Sequence, residues 1–84
     1  MNFFVDRKER ALMHLHREYK EAIEIILSDI SEKGYSWLGK KFLRSIIGDS
    51  IKYRDFLRHV KQVFNVKDEG LSLLITLRRE RKHE

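Results

Sequence analysis

Apolar residues recur at helical spacing through most of the chain, then switch to strict alternation near its end. Leu12, Leu15, Tyr19, Ala22, Ile23, Ile26, Leu27 and Ile30 keep to one side of a helical wheel, the stripe of an amphipathic helix. Asp6, with Glu9 three residues on, has the form of a capping box ahead of that stripe. The pattern stops at Ser31-Glu32-Lys33-Gly34, where glycine can take the left-handed conformation that ends helices. A first helix is therefore expected over about 6–33. At 1.5 Å per residue it would be roughly 40 Å long, against a diameter of about 30 Å for a domain of this size. Two outcomes stay open. Either its first turns, with Phe3, Phe4 and Val5, overhang and pair with a second copy, giving a homodimer, or a kink folds the helix back.

A second helix is expected over about 37–47, with Leu38, Phe42, Leu43, Ile46 and Ile47 turned inward and Gly39 as a weak point inside it. Gly48 closes it, and Asp49 or Ser50 caps a third helix over about 51–63. That helix buries Tyr53, Phe56, Leu57, Val60 and Val63. After Phe64 the period falls to two. Phe64 and Val66, the turn Asp68-Glu69-Gly70, then Leu71, Leu73, Ile75 and Leu77 alternating with Ser72, Leu74 and Thr76 read as a β-hairpin. Leu74 is the one apolar residue on the outward face and marks a contact there.

The expected fold class is mainly α with a small β-hairpin (α+β), a long N-terminal helix followed by a winged helix-turn-helix. The second and third helices are joined by a short glycine-containing turn, the local signature of that motif, and the hairpin is the wing. A single domain over 1–84 is expected, made of the helix (6–33), the helix-turn-helix with its wing (34–78) and a charged tail (79–84). Gly34-Tyr35-Ser36-Trp37-Leu38, then Phe56-Leu57, an apolar strand, a charged glycine turn and a second strand resemble the OST-HTH/LOTUS family over roughly 30–78. That resemblance implies RNA binding, as in some members, or docking to a helicase, as in others.

Charge sharpens the picture. The 84 residues carry a net charge of +5, but residues 1–33 hold six Lys/Arg against seven Asp/Glu, and residues 34–84 hold twelve against six. A neutral half beside a basic half suggests a polyanionic partner. The basic set is Arg54, Arg58 and Lys61 on the third helix, Lys40, Lys41 and Arg44 on the second, Lys67 at the hairpin turn, and Arg78 and Arg79 after the last strand. In a winged helix these elements converge on one surface, where several phosphates would be neutralised with release of counterions. Duplex DNA is favoured over RNA because a long N-terminal helix suits dimers that meet paired half-sites. The competing reading is a protein-interaction module or inhibitor that binds a larger cellular machine through the first helix and Leu74, steered by its positive field.

Catalytic chemistry finds no support in the pattern. Cysteine is absent, so thiolate nucleophiles and Cys-type zinc sites are excluded. His14 and His16 point about 200° apart on a helix and cannot share a metal ion, so they read as surface residues; His59 and Asp55, one turn apart, read as a surface pair. No phosphate loop or nucleophile elbow occurs. The expectation is no enzyme, no cofactor and no metal. Trp37, Tyr35 and Phe42 have the chemistry of a base-stacking platform, but a small core relies on its aromatics, so they are assigned to the core, with Tyr35 the most exposed of the three. No apolar run reaches the ~20 residues of a membrane span, and no signal peptide is evident. The chain is expected to be intracellular and cytoplasmic.

Overall fold

In the computed structural model, which describes residues 6–78, the chain is mostly helical with a small antiparallel sheet. The order is α1 (Arg7–Glu18), α2 (Lys20–Lys33), β1 (Tyr35–Gly39), α3 (Lys40–Ile47), α4 (Ser50–Val63), β2 (Phe64–Asp68) and β3 (Ser72–Leu77). This is the expected α+β class. Phe3, Phe4, Val5 and Arg79 lie outside the described residues. Among those described, no helix is long and apolar enough to cross a membrane.

The first helix is broken rather than continuous. Asp6 caps α1, its carboxylate accepting from the Glu9 N–H at 2.9 Å. Tyr19 then leaves helical geometry at φ −133, ψ 48, and α2 sets off in a new direction. The break sacrifices little backbone bonding. Tyr19 N–H still donates to Leu15 O at 2.8 Å, and Ile23 N–H to Tyr19 O at 2.9 Å. Neither proline nor glycine stands at the bend, so tertiary packing drives it. A straight rod would carry one end of its apolar stripe past the core, whereas two segments, 12 and 14 residues long, bury both. α1 lies on α4, while α2 lies on β1 and α3. Of the two expected outcomes, the interruption of the helix is present, at Tyr19; the overhang of Phe3, Phe4 and Val5 falls outside the described residues.

Gly34 ends α2 at φ +90, its N–H donating to Ile30 O at 2.9 Å, and the chain enters a strand where a helix was expected. Tyr35-Ser36-Trp37-Leu38 has period two, but its signal is masked because the inward position at 36 is polar. Ser36 is fully buried and its hydroxyl donates to Asp29 Oδ2 at 2.8 Å. The sheet therefore has three strands in the order β1-β3-β2, and the hairpin is its central and one edge strand. Gly39 is the N-cap of α3 at φ −69, not an interior helical residue.

Residues opposite one another in an antiparallel pair share a face. Ser36 with Ile75, Leu38 with Leu73, and Val66 with Ile75 face the helices. There they join Leu15, Ile23, Ile26, Leu43, Phe56 and Val60 in the core. Tyr35 with Thr76, Trp37 with Leu74, and Lys67 with Leu74 face outward. The assignment of Trp37 and Phe42 to the core is thus corrected: Trp37 is 61% and Phe42 44% exposed, each more so than Tyr35 at 39%. Leu71 and Leu77, expected inside, are also exposed: Leu71 lies in the turn before β3, and Leu77 is the last residue of that strand.

The turn between α3 and α4 rests on Gly48, at φ +119 and ψ −120, a conformation closed to L side chains. Gly48→Ala should cost about 1–3 kcal/mol of unfolding free energy, read as a lower urea midpoint. Gly39→Ala, with ordinary backbone angles and open space around it, should cost less, about 0.5–1 kcal/mol for the poorer N-cap.

Candidate nucleic-acid interface

α4 supplies most of the candidate surface. Asp49 caps it, accepting from Lys52 N–H at 2.8 Å, and Tyr53, Phe56, Val60 and Val63 are buried beneath it. A groove of about 830 Å³ follows its outer side, lined by Lys52, Arg54, Arg58 and Lys61 together with Ile51, Leu57, Tyr19 and Asp55. Four cations therefore face one carboxylate. A second hollow of about 170 Å³ is lined by Lys40, Arg44 and Lys61, with Tyr53, Leu57, Val66, Asp68 and Leu73. Lys61 and Leu57 line both, so the positive surfaces of α3 and α4 run into each other.

The individual cations are not equivalent. Among the described residues, Lys52, Arg54 and Lys61 have no carboxylate within ion-pair distance. Lys40 is tied to Asp68 at 2.9 and 3.0 Å, and that bond, with the Gly70 N–H donating to the same carboxylate, holds Asp68 below its ordinary pKa. Arg44 lies over the Tyr53 ring at 4.9 Å, a packing contact as much as a charge. Arg78 donates to Gln62 O at 3.1 Å, satisfying a carbonyl at the negative end of α4. Lys41 is exposed on α3. Lys67 stands on the outward sheet face, 3.8 Å from Glu69. Lys52 escaped the spacing argument because it sits about 200° from Arg54 on a helical wheel; only the wall of the groove brings the two together.

The sequence pairs His59 with Asp55 but does not show that His14 and Tyr19 join them in a polar cluster at one end of that groove. Asp55 Oδ2 accepts from the Tyr19 hydroxyl at 2.8 Å and lies 2.8 Å from His14 Nε2, while Oδ1 accepts from Arg58 Nη2 at 3.2 Å. His59 Nδ1 is 2.8 Å from the Asp55 carbonyl oxygen and 3.4 Å from Oδ1. The His14 and His59 ring centroids are 4.1 Å apart, with the planes tilted by 33°. Burial alone would raise the Asp55 pKa, but the bonds from His14, Tyr19 and Arg58 and the nearby His59 outweigh it and hold the carboxyl at about 2. Burial, then the same carboxylate, pushes the Tyr19 phenol up to about 12. His14 and the Asp55–His59 pair, read as surface groups, are thus half-buried parts of one clasp between α1 and α4. The separation of 41 residues between His14 and Asp55 is why no local pattern could reveal it.

Tyr19→Phe keeps the ring packed edge-on against Phe56 at 5.5 Å but removes the hydroxyl from Asp55. It should lower stability by about 1–2 kcal/mol, the range for a hydrogen bond to a partly exposed charged group. Trp37→Ala, at a surface site, should change it by no more than about 0.5 kcal/mol; both are read from urea unfolding. No protein-family model, no curated protein and no solved structure matches the chain.

Proposed function

We propose that the chain is a small intracellular nucleic-acid-binding protein of the winged helix-turn-helix type, regulatory rather than catalytic, which grips the phosphate backbone of a duplex along α4. The observation that carries this reading is the groove in which Lys52, Arg54, Arg58 and Lys61 lie together. Three of these cations have no carboxylate partner among the described residues, so phosphates would be their first counter-charges. Lys40, Lys41 and Arg44 extend the positive surface past Lys61, and Arg78 and Lys67 contribute at its margins. The preference for DNA rested on an uninterrupted first helix that pairs two copies, and that helix is broken at Tyr19; a homodimer through the N-terminal helix stays part of the proposal, checked by sedimentation. The proposal is therefore duplex nucleic acid, with DNA and RNA compared directly.

A second reading is favoured by one specific observation, the outward sheet face on which Trp37, 61% exposed, stands beside Leu74 and Tyr35. Apolar side chains gathered there suit a protein partner, including a second copy of the chain, better than a phosphate backbone. Trp37→Ala would impair such a partner's binding and leave the duplex affinity intact.

Titration against labelled duplex DNA, duplex RNA and single strands at several salt concentrations tests the first reading. Wild type should bind duplex with a steep dependence on salt. The Arg54→Ala/Arg58→Ala/Lys61→Ala variant should flatten the slope of log K against log salt by up to about 2.7, at about 0.9 for each phosphate no longer neutralised. No binding at low salt, or an unchanged slope in the variant, would overturn the proposal.

A further inference from the structure

His14, Asp55 and His59 hold donor atoms that all lie within 4.8 Å of one another, and they come from two different helices, α1 and α4. We propose that they form a binding site for one divalent transition-metal ion of the Zn²⁺ or Co²⁺ kind. This inference stands independently of the nucleic-acid reading.

The geometry is close to what such an ion requires. Bonds of about 2.0–2.1 Å to imidazole nitrogen and carboxylate oxygen place tetrahedral ligand atoms roughly 3.3 Å apart. The observed separations include 2.8 Å for His14 Nε2 to Asp55 Oδ2 and 3.4 Å for His59 Nδ1 to Asp55 Oδ1. Ligation requires the His14 and His59 rings, 4.1 Å apart and inclined at 33°, to turn until both planes contain the ion, and His59 Nδ1 to leave the Asp55 carbonyl oxygen 2.8 Å away. Two imidazoles and one carboxylate are the donor set that suits Zn²⁺ and Co²⁺ rather than Mg²⁺ or Ca²⁺, which take oxygen ligands. Three protein ligands leave one position for water.

Surrounding groups fit the same role. The Tyr19 hydroxyl donates to Asp55 Oδ2 at 2.8 Å, an outer hydrogen bond of the type that orients carboxylate ligands. The donors are partly buried, with side-chain exposures of 32% for His14, 27% for Asp55 and 21% for His59, so an ion could enter from the groove yet be largely shielded. Arg58 also holds Asp55, at 3.2 Å. A bound cation would take over that carboxylate and release the guanidinium towards the groove.

The test is titration of the chelator-treated full chain with ZnCl₂, followed by calorimetry, and with CoCl₂, followed by visible absorption. One saturable equivalent is expected, with Co²⁺ bands of low coordination number and a thermal midpoint that rises with metal and falls back with EDTA. His14→Ala and His59→Ala should each weaken Zn²⁺ binding at least about tenfold, whereas His16→Ala and His83→Ala should not. His14→Gln, which retains a polar group facing Asp55 but no imidazole, keeps the test valid if an alanine variant fails to fold; circular dichroism without metal checks this. Absence of saturable binding overturns the proposal. So does binding that survives loss of His14 and His59, or that disappears with His83.

Discussion

Asp55 is the point at which α1, the bend at Tyr19 and α4 are joined. Its carboxylate receives the Tyr19 hydroxyl, His14 and Arg58, and its backbone carbonyl meets His59. Tyr19 reaches the carboxylate because the chain leaves helical geometry at that residue, and the Tyr19 ring then packs against Phe56 one position beyond Asp55. The bend and the clasp are therefore one feature. With the first helix broken at Tyr19, α1 covers α4 from one side, and residues of α4 form the wall of the basic groove.

The sequence made local features legible and left long-range ones dark. Asp6 and Asp49 as caps, Gly34 and Gly48 as stops, α4 and the switch to period two after Phe64 all follow from residues close in the chain, and all are present. β1 was hidden because its inward residue at 36 is a serine whose partner, Asp29, sits on the preceding helix. Its outward residues, Tyr35 and Trp37, looked like core. The bend at Tyr19 leaves the apolar spacing undisturbed, since the stripe continues in both segments. Of the candidate basic residues, Arg54, Arg58 and Lys61 were found from their spacing on one helix, and the groove includes all three. The roles of Lys40, Arg44 and Arg78 as partners of Asp68, Tyr53 and Gln62 depend on the tertiary fold, which spacing does not encode.

Several of the positive side chains thus serve the fold before any ligand arrives. Lys40 bonded to Asp68 ties the start of α3 to the hairpin, next to the bond from Lys40 N–H to Leu71 O at 2.9 Å. Arg78 closes the end of α4, and Arg44 covers the Tyr53 ring, whose hydroxyl is buried with no hydrogen-bond partner among the described residues. These three would be costlier to redirect than Arg54 or Lys61, because moving them exposes or strands a neighbour. A ligand of opposite charge would accordingly meet α4 first and gain least from α3.

Arg58 is the residue on which the competing demands converge. Its bond to Asp55 is long, at 3.2 Å, and its side chain is 72% exposed; exposed pairs of this kind contribute about 0–1 kcal/mol. Asp55 keeps two other partners in Tyr19 and His14, so it is not stranded when the guanidinium leaves. A phosphate in the groove, or a cation on the carboxylate, can therefore change the partner of Arg58 at small cost to the fold. Tyr19 and His14 lack that freedom, because they hold the α1–α4 contact itself. The division is physical: the groups that bridge the two helices fix the groove, and the one group that reaches out of the clasp into solvent is positioned to respond to what binds there.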